Sequence, residues 1–148
     1  MHKRTIGAVL ALLAVVAIMP AAAQAVAVDL ELALLVDVSG SVNSTEYNLQ
    51  MQGYIDAFNS AAVQNKIAAG NGVAVSMIQW SGVSQQSQVV GWTLITDQTS
   101  SQAFATALGS VVRAFNGGLT APGSAINSAI PAFTNGYEGT RLAIDVSG

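Results

Sequence analysis

The sequence predicts an α/β fold with a central, mainly parallel sheet, one antiparallel edge strand and helices on both faces. Three observations lead to this prediction. The first strand, over residues 28–37, alternates at its start and is continuously apolar from Ala33 to Val36, which is typical of a strand that is buried on both faces. Segments with helical spacing alternate with strand-like runs, an order that favours helices layered on a sheet. Two strand-like runs are separated only by the polar residues 81–86, which is typical of an antiparallel hairpin.

The first predicted strand ends near Asp37, and a helix is predicted over residues 44–65. Asn43 and Glu46 have the spacing of a capping box, and Ser44 is an alternative cap. The turn residues 70–72 then separate this helix from the next strand. The apolar residues of the helix recur at helical spacing and form one stripe: Tyr47, Met51, Tyr54, Ile55, Phe58 and Ala62.

The later elements follow from similar signals. Strands are predicted over residues 73–80 and 88–95, and Thr99 or Ser100 is expected to cap a second helix. The glycines of residues 116–118 are expected to end it. A third helix should begin near Pro122 and be kinked or ended by Pro131, before a fourth strand over residues 142–146. The face of the second helix is predicted to consist of Phe104, Leu108, Val111, Val112 and Phe115.

Residues 1–25 have the composition of a secretory signal peptide. A basic start, an apolar run over residues 6–19 and the small residues Ala23 and Ala25 follow the order of such signals. The apolar run is shorter than the roughly 20 residues that a membrane-spanning helix needs, although an uncleaved anchor is an alternative. We therefore expect an exported protein, periplasmic or secreted, whose mature part is one domain over residues 26–148 with no membrane span.

The charge and residue content of that mature part exclude several function classes. It has three basic and eight acidic residues, a net charge of −5, which argues against nucleic acid or anionic lipid as a partner. It contains no cysteine, and the one histidine, His2, lies in the predicted signal. The usual Ser–His and Cys–His nucleophile pairs are thus absent from the mature sequence, and we do not expect an enzyme.

Three oxygen-bearing side chains follow the first strand at alternate positions: Asp37, Ser39 and Ser41. In a mainly parallel sheet, ligands bind beyond the carboxyl ends of strands. One carboxylate and two hydroxyls suit a small divalent cation such as Mg²⁺, which takes oxygen ligands. Because the hydroxyls are neutral, the ion would keep positive charge toward an anion. The alternative is an ordinary turn in which Asp37 caps backbone N–H groups.

The Asp-x-Ser-x-Ser pattern at the end of an apolar strand resembles the metal-ion-dependent adhesion site (MIDAS) of von Willebrand factor A (vWA) domains. The stretch from Gly118 to Ile126 is similar to the Gly-rich loop that carries the family's threonine ligand, which places Thr120 as the fourth ligand. The resemblance covers about residues 30–148 and is closest to the bacterial secreted group known as DUF1194. It implies a Rossmann-like vWA fold. Thr120 could alternatively be only the cap of the third helix.

The family's fifth ligand is an aspartate just past the fourth strand, and this sequence departs from that pattern. Asp145 lies within the predicted strand, so it is only a weak substitute, and more simply a buried or strand-end carboxylate. We expect the chain to be a C-terminally truncated vWA domain whose missing aspartate would follow residue 148.

The resemblance implies a binding or adhesion module that engages the carboxylate of a protein partner through one ion, Mg²⁺, Mn²⁺ or Ca²⁺. The alternative is a structural or assembly domain whose metal site stays empty. The sequence does not predict an oligomeric state. Trp80 and Trp92 are expected to pack in the core or on the sheet.

Overall fold

The computed structural model of the chain describes residues 24–146, so nearly all of the predicted signal peptide lies outside the described residues. The elements alternate between strands and helices, as predicted. In chain order they are β1 (Val26–Asp37), α1 (Ser44–Asn59), α2 (Ala61–Ala68), β2 (Val73–Trp80), β3 (Gln86–Ile95), α3 (Gln98–Gly109), α4 (Pro122–Ala132) and β4 (Tyr137–Val146).

The four strands form one sheet in the order β3-β2-β1-β4. β1 pairs in parallel with β2 on one side and with β4 on the other, whereas β3 pairs with β2 antiparallel. The predicted antiparallel edge strand is confirmed. Because β1 is central, its carboxyl end at Asp37 lies between two neighbours, next to Trp80 in the register with β2.

Both faces of the sheet are covered by helices, as the apolar run in β1 predicts. On one face, Leu34 and Val36 belong to a core cluster with residues of α1, α2 and α3. On the other face, Ala33 and Leu35 pack with Ala125 and other residues of α4. Consecutive residues of a strand point to opposite faces, so an uninterrupted apolar run satisfies both layers.

The first helix is shorter than predicted, and this part of the prediction is wrong. α1 ends at Asn59, and Ser60 has an extended backbone (ψ 137°) that separates it from α2. The Ser60 hydroxyl accepts a hydrogen bond from the backbone N–H of Val63 and so caps α2. The apolar stripe continues across this break, which explains why periodicity alone did not reveal it.

The second predicted helix also has different ends. Asp97, rather than Thr99 or Ser100, is the N-cap of α3, and its carboxylate accepts a hydrogen bond from the backbone N–H of Ser100. The helix ends at Gly109 instead of continuing to residue 116. Val111, Val112 and Phe115 therefore lie in the loop that leads to α4, and the prediction that they form a helix face is wrong.

The capping box at the start of α1 is confirmed and gives a first testable prediction. The Asn43 side chain accepts from the backbone N–H groups of Thr45 and Glu46, and Glu46 accepts from the N–H of Asn43. Asn43→Ala should lower the free energy of unfolding by about 1 kcal/mol. Urea denaturation measures this loss.

The control for this cap is Asn48→Ala, the same substitution at an exposed position inside α1. That variant should be neutral or slightly more stable, because alanine has the higher helix propensity. Equal losses in both variants would contradict the assignment of the cap.

Of the helices within residues 24–146, none has both the length and the apolar character required to cross a membrane.

Candidate functional site

The candidate site lies at the carboxyl end of β1, where the turn over residues 38–43 leads into α1. Asp37 and Ser39 are buried, whereas Ser41 is exposed to solvent. The backbone N–H of Ser39 donates to Asp37 Oδ1 at 2.7 Å, and the N–H of Val42 donates to the carbonyl oxygen of Ser39 at 3.1 Å. These bonds fix the turn. One carboxylate oxygen of Asp37 thus accepts from a backbone N–H, as expected for the alternative of an ordinary turn.

Thr120 reaches this turn from a loop about eighty residues later in the chain. Its Oγ1 atom donates to Ser39 Oγ at 3.1 Å, and Ser39 Oγ lies 3.2 Å from Ser41 Oγ. The N-cap position of α4 is Ala121, which makes no side-chain cap bond. The Thr120 hydroxyl therefore points to the β1 turn instead of capping the helix. Three of the side chains singled out in the sequence converge as one hydroxyl cluster beside Asp37.

The loop that carries Thr120 is fastened to its neighbours by backbone contacts. The carbonyl of Gly118 accepts from the N–H of Gly40 at 3.2 Å, and that of Gly117 accepts from the buried Ser81 hydroxyl at 2.9 Å. Gly118 has a φ of 114°, and a side chain there would meet Ser81 and Gln85. The glycines are thus required by backbone conformation and by close approach, and they set the position of Thr120.

Arg113 also bonds to this turn, and sequence reasoning missed it. Its Nη2 atom donates to the carbonyl oxygens of Val38, Ser39 and Val42 at 2.8–3.0 Å. The guanidinium also lies 5.5 Å from the centre of the Tyr47 ring, within reach of a cation–π contact. One sequence feature could have drawn attention to Arg113: it is one of only three basic residues in the predicted mature part.

The loop over residues 110–121 is tied further to the core by the buried Gln79. The Gln79 amide donates to the Tyr47 hydroxyl at 2.9 Å and accepts from the backbone N–H of Ala114 at 2.6 Å. Tyr47 belongs to α1 and Ala114 follows Arg113, so one buried amide joins the strand, the helix and the loop. Hydrogen bonds of the Gln79 side chain therefore link α1, which follows the turn with Ser39 and Ser41, to the loop that carries Thr120.

Asp145 has a different environment from the other candidates. Its Oδ1 atom accepts a hydrogen bond from Trp80 Nε1 at 3.2 Å, and it pairs with Leu35 within the sheet. Burial raises the pKa of the Asp145 carboxyl, the bond from Trp80 lowers it, and the nearby Asp37 carboxylate raises it again. The net direction is upward. Asp145 thus lies close enough to Asp37 for repulsion, while its hydrogen bond is to an indole.

The raised pKa predicts how stability depends on pH in metal-free buffer. The folded chain holds the Asp145 proton more tightly than the unfolded chain does, so this group destabilises the fold as pH rises through its folded pKa. Asp145→Asn keeps an acceptor for Trp80 and removes the charge. Its free energy of unfolding should exceed that of the wild type by a margin that grows above about pH 4. Thermal unfolding in EDTA from pH 3.5 to 8 measures the margin.

Asp97→Asn is the comparison of opposite sign for this pH series. Hydrogen bonds from Ser100 lower the pKa of Asp97, so its charged form stabilises the fold at pH values above the unfolded pKa. The Asp97 variant should be less stable than the wild type at pH 7, and this difference should shrink as pH falls toward the folded pKa of Asp97. A margin for Asp145→Asn that stays constant with pH would contradict the upward shift.

The donor set fits a small, hard cation. In an octahedral Mg²⁺ site with bonds of about 2.1 Å, neighbouring oxygens lie about 3.0 Å apart. The two hydroxyl separations, 3.1 and 3.2 Å, are close to that spacing. Within residues 24–146 no three Asp, Glu, His or Cys side chains form a group that could hold a metal. An ion at this site would therefore be held mainly by hydroxyls, with Asp37 as the charged ligand.

Comparison with known proteins identifies the family. The family model described as "Protein of unknown function (DUF1194)" matches residues 27–148, and the chain belongs to this family. The resemblance to DUF1194 predicted from the sequence is confirmed. No curated protein matches the chain.

Solved structures with a similar fold include proteins of bacterial pili. Three N-terminal domains of the type V pili tip protein Mfa5 from Porphyromonas gingivalis align with a TM-score of 0.50 and 13% identity over 82% of this chain. The pilus adhesin SpaC from Lactobacillus rhamnosus GG aligns with a TM-score of 0.52 and 19% identity over 81% of it. A structure of the Mfa5 vWF domain gives a TM-score of 0.47 and 10% identity, with 78% of this chain and 36% of that chain covered.

The chain spans only 20% of the Mfa5 three-domain structure and 16% of SpaC. At these identities the likeness concerns the fold alone. The predicted α/β fold, with a mainly parallel sheet and one antiparallel edge strand, is confirmed.

Proposed function

We propose that this chain is an exported binding module that engages an acidic group of a protein partner through one divalent cation. Asp37, Ser39, Ser41 and Thr120 would hold the ion, with Mg²⁺ or Mn²⁺ as the best match to their oxygens. The bound ion would supply an open position of net positive charge to a carboxylate. Asp145 is the weakest member of the proposed set, because its described hydrogen bond is to Trp80.

The observation that carries this proposal is the meeting of Ser39, Ser41 and Thr120 beside Asp37. These residues come from two segments of the chain. Ser41 Oγ lies 3.2 Å and Thr120 Oγ1 lies 3.1 Å from Ser39 Oγ. A strand-to-helix turn does not need a threonine from a distant loop. Ser41 and Thr120 are also exposed, so a partner's side chain could reach the cluster from solvent.

Two further observations support a role in binding outside the cell. The solved structures with a similar fold include a pilus tip protein, Mfa5, and a pilus adhesin, SpaC. The first 25 residues have the pattern of a secretory signal. Both agree with an adhesive protein that is periplasmic or secreted, and neither points to catalysis.

Thr120→Val tests the metal site directly, because valine keeps the shape of threonine and removes the hydroxyl. We expect the affinity for Mn²⁺ to fall about tenfold, the lower end of losses from altered metal surroundings, since a water can replace the hydroxyl. Electron paramagnetic resonance measures free Mn²⁺ during a titration. Thr106→Val, an exposed site on α3 whose hydroxyl bonds only to the carbonyl of Gln102, is the matched control.

The alternative of a structural domain makes a different prediction in the same samples. An ion that binds only the folded chain must raise its melting temperature. If millimolar Mg²⁺ and Mn²⁺ leave the melting temperature of the wild type unchanged from its value in EDTA, the metal-dependent proposal is wrong.

A further inference from the structure

The three most exposed large hydrophobic side chains of the described residues all lie on loops at the candidate site. Val112 is 80% exposed, Leu119 is 79% exposed and Val83 is 74% exposed. Leu119 immediately precedes Thr120, and Val112 precedes Arg113, which bonds to the β1 turn. Val83 lies in the β2–β3 turn, whose Ser81 hydroxyl bonds to the Leu119 carbonyl at 3.3 Å. We call these three side chains the hydrophobic rim.

The loops that carry the rim are fixed by hydrogen bonds. The β2–β3 turn is closed by bonds between Ser81 and Gln85 at 2.9 Å and between Gln85 and Gly82 at 3.0 Å, and Gln86 donates to the carbonyl of Val83. The backbone N–H of Ala121 donates to the carbonyl of Ser81 at 3.0 Å. A fixed backbone loses little conformational entropy on binding, so the contact area that the rim offers is preorganised.

Single exposed hydrophobic residues are common on protein surfaces and need no explanation. Here the three extremes of exposure are on two loops, residues 110–121 and the β2–β3 turn, which are joined by hydrogen bonds beside the hydroxyl cluster of the candidate site. Exposed apolar side chains that cluster beside polar groups are one mark of a surface that contacts another protein.

We infer that the hydrophobic rim recognises a protein segment in which an Asp or Glu is flanked by aliphatic or aromatic side chains. This inference rests on the proposed function, because the acidic side chain is the one that would reach the cation. The apolar neighbours of that side chain would cover Val83, Val112 and Leu119. The ion would then bind the carboxylate, and the rim would select among carboxylates by the apolar side chains next to them.

A membrane is the other surface that such a rim could enter, and the charges disfavour it. Binding to an anionic lipid surface usually needs a cluster of Lys and Arg. Of the basic residues in 24–146, Arg113 bonds to carbonyls of the β1 turn and Arg141 bonds to the buried Glu31 at 3.2 Å. Lys66 is on α2. The net charge of −5 in the predicted mature part adds repulsion from an anionic membrane surface.

The test begins with a phage-displayed library of random peptides around a fixed aspartate, selected on the Mn²⁺-loaded chain and eluted with EDTA. We expect aliphatic and aromatic residues to be enriched within about two positions of the aspartate. Fluorescence anisotropy then gives the affinity of a selected peptide for the Val83→Ser, Val112→Ser and Leu119→Ser variants. Each should bind about five- to tenfold more weakly than the wild type, as expected for partial burial of one aliphatic side chain.

Ile130→Ser is the matched control, because Ile130 is 64% exposed on α4 and belongs to none of the loops at the site. It should bind the peptide as the wild type does. The three rim variants should keep the wild-type affinity for Mn²⁺, since they remove no oxygen ligand.

Selected peptides without apolar enrichment, or rim variants with unchanged peptide affinity, would overturn the rim while leaving the metal-dependent module intact. Mn²⁺-dependent binding to phosphatidylglycerol vesicles that is lost in the rim variants would assign the rim to a membrane and also overturn this inference. Failure of the proposed function itself looks different, because EDTA would then elute no peptides above background and an Asp37→Ala variant would retain the library as the wild type does.

Discussion

Replacing Asp37 by asparagine should lower the affinity for Mn²⁺ by about 100-fold or more. Changes to groups around metal ligands alone cost roughly 10- to 100-fold, and Asp37 is the charged ligand of the proposed site. The free energy of unfolding in EDTA should change little, because an asparagine oxygen can still accept from the backbone N–H of Ser39. Titration with Mn²⁺ and urea denaturation in EDTA together measure the two effects.

Asp56→Asn is the matched control for Asp37→Asn. It also removes one negative charge, from an exposed position on α1 where the carboxylate accepts a bond from Gln52. Its affinity for Mn²⁺ should equal that of the wild type. If Asp37→Asn also binds Mn²⁺ normally, Asp37 only shapes the turn and the proposed ligand set is wrong.

Replacing Arg113 by methionine should destabilise the fold and weaken the site together. Hydrogen bonds to a charged group contribute roughly 1.5–3 kcal/mol each, without simple additivity, so we expect a loss of about 3 kcal/mol in the free energy of unfolding. The carbonyls of Val38, Ser39 and Val42 would lose their shared donor. Because these residues form the turn that carries Ser39 and Ser41, the affinity for Mn²⁺ should fall about tenfold.

Two comparisons separate the charge of Arg113 from its bonds. Lys66→Met makes the same change in net charge at an exposed position on α2, and it should leave both measurements near the wild-type values. Arg113→Lys keeps the charge but lacks the planar, forked guanidinium, so it should fall between the wild type and Arg113→Met. A Mn²⁺ affinity that is unchanged in Arg113→Met would show that the turn keeps its shape without this side chain.

Much of the sheet could be predicted from sequence because its signals are local. The bounds of β2, Val73–Trp80, agree with the prediction, since turn residues flank a largely apolar run. The β3 strand follows from the short polar connection before it. The break at Ser60 was hidden because Phe58 and Ala62 continue the helical stripe across it. A serine that caps one helix can also look like an ordinary polar residue of a longer one.

The site could be predicted only in part. Asp37, Ser39 and Ser41 form a compact pattern, and Gly118 to Gly123 form a second one, so their meeting could be expected from the topology. The bonds from Arg113 join residues more than 70 positions apart and follow no period. Gln79 lies in a strand that reads as apolar, and its partners, Tyr47 and Ala114, are 32 and 35 residues away. Such contacts depend on packing and have no local signature.

The strand order has a consequence for how the chain folds. β1 is translated first among the strands, yet one of its two neighbours is β4, and Val36 pairs with Val146. Pairings between residues so far apart form late, because a long loop must close before the contact repays its entropy. Until β4 has been synthesised, the central strand β1 therefore has β2 as its single partner among the described strands.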